Sequence, residues 1–193
     1  MKKIILASAS PRREELLKNI GLKFSVEPSN LDENMTLNLK PAKLAEFLSF
    51  QKAKTVAKKY KNSIIIAADT IVVIGNDILG KAHTDKEAKQ MLNKLNGKSH
   101  LVITGFTIID SNTNKKVTKS EKTKVFFKKL NAHEIDNYIA TGEPVKKGGA
   151  GSYCIQGFAS MFIKKIKGDY FNVVGLPIYS LMESLKKFGI KVL

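Results

Sequence analysis

The chain has 193 residues, 43% of them hydrophobic and 8% aromatic, which suffices for a packed core and excludes global disorder. Its one cysteine, Cys154, excludes an internal disulfide, and no apolar run approaches the roughly 18 residues that a membrane-spanning helix needs. Lysine and arginine outnumber aspartate and glutamate by 33 to 17, and the resulting charge of +16 attracts nucleotides, nucleic acid or acidic lipids. Lysine pairs at 2, 58, 115, 128, 146, 164 and 186 suit a solvated surface equally well.

The opening "MKKIILASAS" has too short an apolar stretch, residues 4–7, for a secretion signal, so the chain reads as cytoplasmic. Residues 3–7 read as a buried strand. A helix follows over 11–20, with Ser10 as N-cap, Pro11 at the first position and Gly21 as its stop. Residues 23–27 alternate like a strand, and 28–40 read as a loop carrying Asp32 and Glu33. Pro41 starts a long helix over 41–60, with Leu44, Phe47, Leu48, Ala53 and Val56 at helical spacing.

"SIIIAADTIVVIG", residues 63–75, is β-branched and apolar, broken once at Asp69–Thr70, and reads as a central strand or strand pair. Residues 84–96 predict a helix with a capping box on Thr84 and Glu87, and 131–141 a second one on Asn131 and Glu134. Antiparallel strands are expected at 100–109 and 115–128, joined at "DSNTN". A glycine-rich loop at 142–152, strands at 153–164 and 166–174, and a closing helix at 176–188 complete the pattern. Helices and strands alternate without repeats, which predicts one α/β domain over 1–193 with a mixed sheet. Residues 100–130 are a candidate hairpin subdomain.

Five stretches carry candidate chemistry, one of them "NLDEN" with Asp32 and Glu33, an acidic pair that solvated surface explains equally well. At "SASPRR" a helix N-terminus, the hydroxyls of Ser8 and Ser10, and the guanidinium forks of Arg12 and Arg13 suit phosphate. A helix that starts on Ser-Pro with two surface arginines explains the same letters. Asp69 is a carboxylate inside an apolar strand, a costly placement unless it is paired, holds a hard cation or serves as a general base. "GNDILGKA", residues 75–82, has the spacing of a phosphate-binding loop but puts Ala82 where a hydroxyl should hold magnesium; it is a decoy, although Lys81 can still reach a phosphate. In "KKGGAGSYCIQG", residues 146–157, glycines permit close backbone approach, and Gln156 offers a donor and an acceptor that match a pyrimidine edge or any backbone. His83, His100 and His133 lack metal-ligand spacing, and Cys154 reads as a small buried residue.

Taken together, "LASASPRREELL", "DE" at 32–33, "KA" at 52–53, "AADTIV", "LGK" at 79–81, "GSYCIQGFA" and "GDYFNVVGLP" resemble the Maf-like nucleoside triphosphate pyrophosphatases, in family order from residue 6 to 177. The resemblance implies a mixed twisted sheet flanked by helices, related to the inosine triphosphate pyrophosphatase fold, with a central ligand cleft. It implies hydrolysis of a nucleoside triphosphate to monophosphate and pyrophosphate with a divalent cation, Mg²⁺ or Mn²⁺.

In that reading Asp69 is the general base. Glu33 and Asp69 hold the metal, and Ser8, Ser10, Arg12, Arg13, Lys52 and Lys81 bind the triphosphate. Arg13, Thr70 and Gln156 mark the subgroup that prefers dTTP and UTP. Family members are often homodimers, and the resemblance is compatible with two cellular roles, house-cleaning of the nucleotide pool or control of division. No nucleic-acid or membrane partner is implied.

Three departures from the family pattern stand out. "GGAG" replaces a lysine-bearing "DKAG", so that either Lys146 or Lys147 substitutes from a shifted position or the contact is lost. Ala82 replaces a proline, and "SYC" replaces "AYG". The reading from another class, a basic nucleic-acid-binding protein, rests on the charge alone, without the aromatic interleaving such proteins use.

Overall fold

The computed structural model describes residues 2–31 and 37–192. Among them a seven-stranded mixed sheet forms from β1 (Lys3–Leu6), β2 (Ser25–Val26), β3 (Ser63–Ile74), β4 (Asp77–Leu79), β5 (Ser99–Asp110), β6 (Lys116–Phe127) and β7 (Ile163–Lys167). Its order is β2-β1-β3-β5-β6-β7, with β4 on the side of β3. β1 runs parallel to both β2 and β3, whereas β4 on β3 and β7 on β6 are antiparallel. The helices are α1 (Pro11–Asn19), α2 (Pro41–Ala57), α3 (Asp85–Leu95), α4 (Ala132–Ala140), α5 (Glu143–Lys146), α6 (Tyr170–Val174) and α7 (Ile178–Leu185). The expected mixed α/β architecture is therefore present.

The chain divides into two compact units; three of the divisions fall inside β3, β5 and β6, and the fourth falls between α6 and α7. The first unit comprises Met1–Asp69, Thr104–Glu121 and Gly175–Leu193; the second comprises Thr70–Ile103 and Lys122–Val174. The 100–130 segment contributes to both units.

In the first unit, α2 packs on the sheet through Ala53 and Val56, against Ile5, Ala7, Ile65 and Ala67. Its buried stripe is Leu44, Ala45, Leu48, Ser49, Lys52, Ala53 and Val56, and Phe47 lies at the surface instead. The approach is tight because Gly105 on β5 has no side chain. A Cβ there would lie 2.3 Å from the Ala45 carbonyl. Ser49 then reaches Thr107 at 2.9 Å, so the polar atom on the helix's inner face is satisfied by the strand beneath it.

The second unit has its own core, which includes Val72, Leu92, Leu95, Val125, Phe127 and Phe162. Here Asn131 caps α4 with the expected reciprocal box to Glu134. Thr84 caps α3 through Glu87 N, but the Glu87 carboxylate turns to His83 N rather than closing the box.

Of the local expectations, some hold and others are corrected. β3 is one continuous strand through Asp69 and Thr70, because the carboxylate has a partner beside the sheet. Residues 153–164 are not a strand. Short 3-10 turns occupy Ala150–Ser152 and Phe158–Phe162, and only Ile163–Lys167 pairs in the sheet. Residues 170–174 are helical because Asp169 Oδ1 accepts from Phe171 N at 2.7 Å and Asn172 N at 3.3 Å, which starts a helix where the letters suggested a strand. In "GNDILG" the chain reverses at Gly75, φ +57°, into the β3–β4 hairpin, so it forms no phosphate cradle.

Candidate functional site

β1 and β3 are parallel neighbours in register from Lys3↔Ser63 to Leu6↔Ile66, so the C-terminal end of β1 lies beside the middle of β3, which runs on to Ile74. Open α/β sheets place ligands beyond the carboxyl ends of their strands. Past the end of β1 at Leu6, Ser8 is buried, and the chain turns into α1.

Ser10 occupies the N-cap position, but its side chain makes no capping bond. The hydroxyl that organises the turn is Ser8. Its oxygen accepts from Ser10 N at 3.2 Å and from Arg13 Nη1 at 3.1 Å. With both lone pairs taken, what the Ser8 hydroxyl still offers is its proton. Arg13 Nε donates to the Gly175 carbonyl at 2.8 Å. The guanidinium is thus fixed from two sides, and a planar fork held this way presents its remaining N–H groups in a set direction. Arg12 is half-buried on the first turn of α1.

Asp69 lies further along β3, three residues past Ile66 and in the middle of the strand. Alternation puts Ile65, Ala67 and Asp69 on one face of the strand, the face that α2 covers. Lys52 sits in the buried stripe of α2, next to Ala53, and its ammonium donates to Asp69 Oδ1. The two side chains are 10% and 5% exposed. A carboxylate so deep is tolerated because a cation meets it within the same unit. The expectation that Lys52 serves the triphosphate is joined by a second contact that the sequence did not indicate.

Thr70, Lys81 and Gln156 belong to the second unit. Thr70 follows Asp69 on β3, half-buried, with its side chain on the opposite face. Lys81 is exposed just beyond β4. Gln156 is exposed in the turn from Cys154 to Gly157, which the bond from Gly157 N to Cys154 O closes at 3.0 Å. Cys154 is buried and free, as its surroundings predict. Glu33, the second expected metal ligand, lies outside the described residues together with Asp32. Among the described residues, no three His, Cys, Asp or Glu side chains group as cation ligands.

Two contributors escaped the sequence reading. Gly175 acts through its carbonyl, which no residue letter reveals. Glu143 is a buried carboxylate opening α5, and its only sequence cue is an acid between glycine and proline.

The structure is a mixed α/β protein with an anchored arginine on the turn after β1 and a lysine-paired carboxylate on β3. The chain belongs to the Maf family: the family model described as "Maf-like protein" matches residues 3–188. It is 50% identical over 192 residues to the dTTP/UTP pyrophosphatase of Desulforamulus reducens, covering 100% of both chains. The same 50% identity holds over 195 residues, again with 100% coverage of both, for the dTTP/UTP pyrophosphatase of Alkaliphilus oremlandii. Among solved structures, the Ham1 protein of Staphylococcus aureus is similar at 16% identity and a TM-score of 0.48, over 65% of this chain and 72% of that one.

Proposed function

We propose that this protein hydrolyses dTTP and UTP to the monophosphate and pyrophosphate. The observation that carries the reading is the full-length identity of 50% to relatives bearing that activity in their names. Water would bond to the α-phosphorus as the bond to the bridging oxygen breaks and pyrophosphate departs. Asp69 would take the proton of that water, with Lys52 holding the carboxylate in place. Ser8, Ser10, Arg12, Arg13 and Lys81 would meet the phosphate oxygens, while Arg13, Thr70 and Gln156 set the preference for thymine and uracil.

A hard divalent cation fits the donor chemistry. Magnesium is commonly bound by one or two carboxylates plus substrate phosphates, and Asp69 on β3 offers a carboxylate while Glu33 would add another. When bound, the ion would neutralise phosphate charge and make a water more acidic. Among the described residues no helix is long and apolar enough to cross a membrane. A cytoplasmic location and a homodimer complete the reading, on the family resemblance alone.

The test is pyrophosphate release from dTTP, UTP, CTP, GTP and ITP with Mg²⁺ or Mn²⁺. Release from dTTP and UTP supports the full reading. Release from another base keeps the chemistry and overturns the base assignment, and no release with either metal overturns both.

A further inference from the structure

Glu143 and Gly157 are pressed together in the second unit. Glu143 is 8% exposed, and its Oε2 accepts from Phe158 N at 3.3 Å. A Cβ on Gly157 would lie 2.2 Å from that same oxygen, so the carboxylate rests on bare backbone. Gly157 closes the turn that carries Gln156.

Glu143 is itself held at its other end. Its N–H donates to Thr141 Oγ1 at 3.1 Å, and its carbonyl accepts from Lys147 N at 2.8 Å and Gly148 N at 2.7 Å. Its Oε1 is buried. Beside it, burial first and the Glu143 carboxylate second push the Tyr138 phenol above its ordinary value. A carboxyl group is costly in such a place. What it supplies that an apolar side chain of equal size would not is an acceptor for the first N–H beyond the Gln156 turn.

We propose that Glu143 is a positioning residue for base selection: by bonding Phe158 N and seating on Gly157, it fixes the turn that presents Gln156. This rests on the reading that Gln156 meets the base. The carboxylate acts on where Gln156 points, not on the phosphate chemistry, so its removal changes discrimination between bases more than turnover of a saturated enzyme.

The experiment measures kcat and KM for dTTP, UTP, CTP and GTP in the wild type, Glu143→Ala, Glu143→Gln, Phe158→Pro and Gln156→Ala, with far-UV circular dichroism on each. Glu143→Ala is expected to lower the ratio of kcat/KM for dTTP over CTP about tenfold, through KM for dTTP. Glu143→Gln keeps an acceptor oxygen and restores most of that ratio. Phe158→Pro removes the donated N–H at the first residue of a 3-10 turn, a position proline tolerates. It should shift the ratio like Glu143→Ala, and the double variant should go no further.

A Glu143→Ala enzyme that slows on all bases equally, or behaves as wild type, overturns the assignment. If Glu143→Ala does not fold, Phe158→Pro decides, and an unchanged base ratio there overturns it. A Gln156→Ala enzyme with altered base ratio beside an unaltered Glu143→Ala enzyme sinks the role of Glu143 alone. An unaltered ratio in Gln156→Ala sinks the reading of Gln156 and the proposal with it.

Discussion

Lys52 on α2 donates to Asp69 Oδ1 on β3, and both side chains are almost fully buried. Helix and strand are separated in sequence by a loop and joined in space by this pair. A buried pair is a poor source of net stability, yet breaking it on one side is costly, about 3 kcal/mol or more. Lys52→Met should therefore lower the unfolding free energy by about that amount, while Lys52→Met combined with Asp69→Asn should recover much of it. Urea melts of the two single variants and the double variant measure the coupling; strict additivity would refute it. Activity should behave differently. Asp69→Asn should lose about a thousandfold or more in kcat with the fold intact, and the double variant should stay inactive.

The depth at which α2 lies on the sheet depends on Gly105. Its substitution by alanine places a methyl group in the Ala45 carbonyl, and backbone cannot rotate away as a side chain can. Gly105→Ala should cost about 3 kcal/mol in chemical denaturation. It should also lower kcat, because Lys52 lies two turns along the same buried stripe and would lift with the helix.

Ser8→Ala removes the acceptor shared by Ser10 N and Arg13 Nη1. The loss should be about 1–2 kcal/mol of stability, with KM for the triphosphate raised about tenfold. A KM equal to wild type would show that Arg13 keeps its direction without the Ser8 hydroxyl.

His100 is buried in the second unit, where its Nε2 meets the Tyr153 hydroxyl at 2.8 Å and its ring stands edge-on to Phe127. Burial lowers its pKa from 6.5 to about 4. A depressed histidine pKa means that the unfolded chain binds the proton first as pH falls. Stability contributed by neutral His100 is thus fully present above pH 6.5 and is lost progressively down to about pH 4, by roughly 3 kcal/mol. Denaturant midpoints at pH 7 and pH 4.5 in the wild type and in His100→Gln should differ in their pH slope. Equal slopes would place the acid sensitivity elsewhere.

Much of the local structure could be read from the letters, for physical reasons that differ by element. Pro11, Pro41 and the Asn131–Glu134 box act within a few residues of themselves, so the helix starts they predict are where the structure has them. Asp69 announced itself because a carboxylate in an apolar strand needs a partner. Its partner Lys52 did not, because one lysine among many carries no mark of burial. Phe47 was assigned inward on hydrophobicity, yet the inner stripe admits Ser49 and Lys52 because Thr107 and Asp69 lie opposite. The strand expected at 166–174 failed on Asp169, whose capping bonds outweigh the β-propensity of "YFNVV". Glu143 was missed because its meaning depends on Gly157 and Phe158, residues that come near it only after folding.

The bond from Arg13 to the Gly175 carbonyl spans 162 positions of the chain. During synthesis from the N-terminus, β1, the Ser8 turn and α1 emerge long before their anchor exists. The arginine turn therefore cannot take its final form on a nascent chain, however complete the sheet around it has become. Acquisition of the site is tied to the last part of translation, and a chain released before residue 175 would carry the right motif without the carbonyl that anchors its guanidinium.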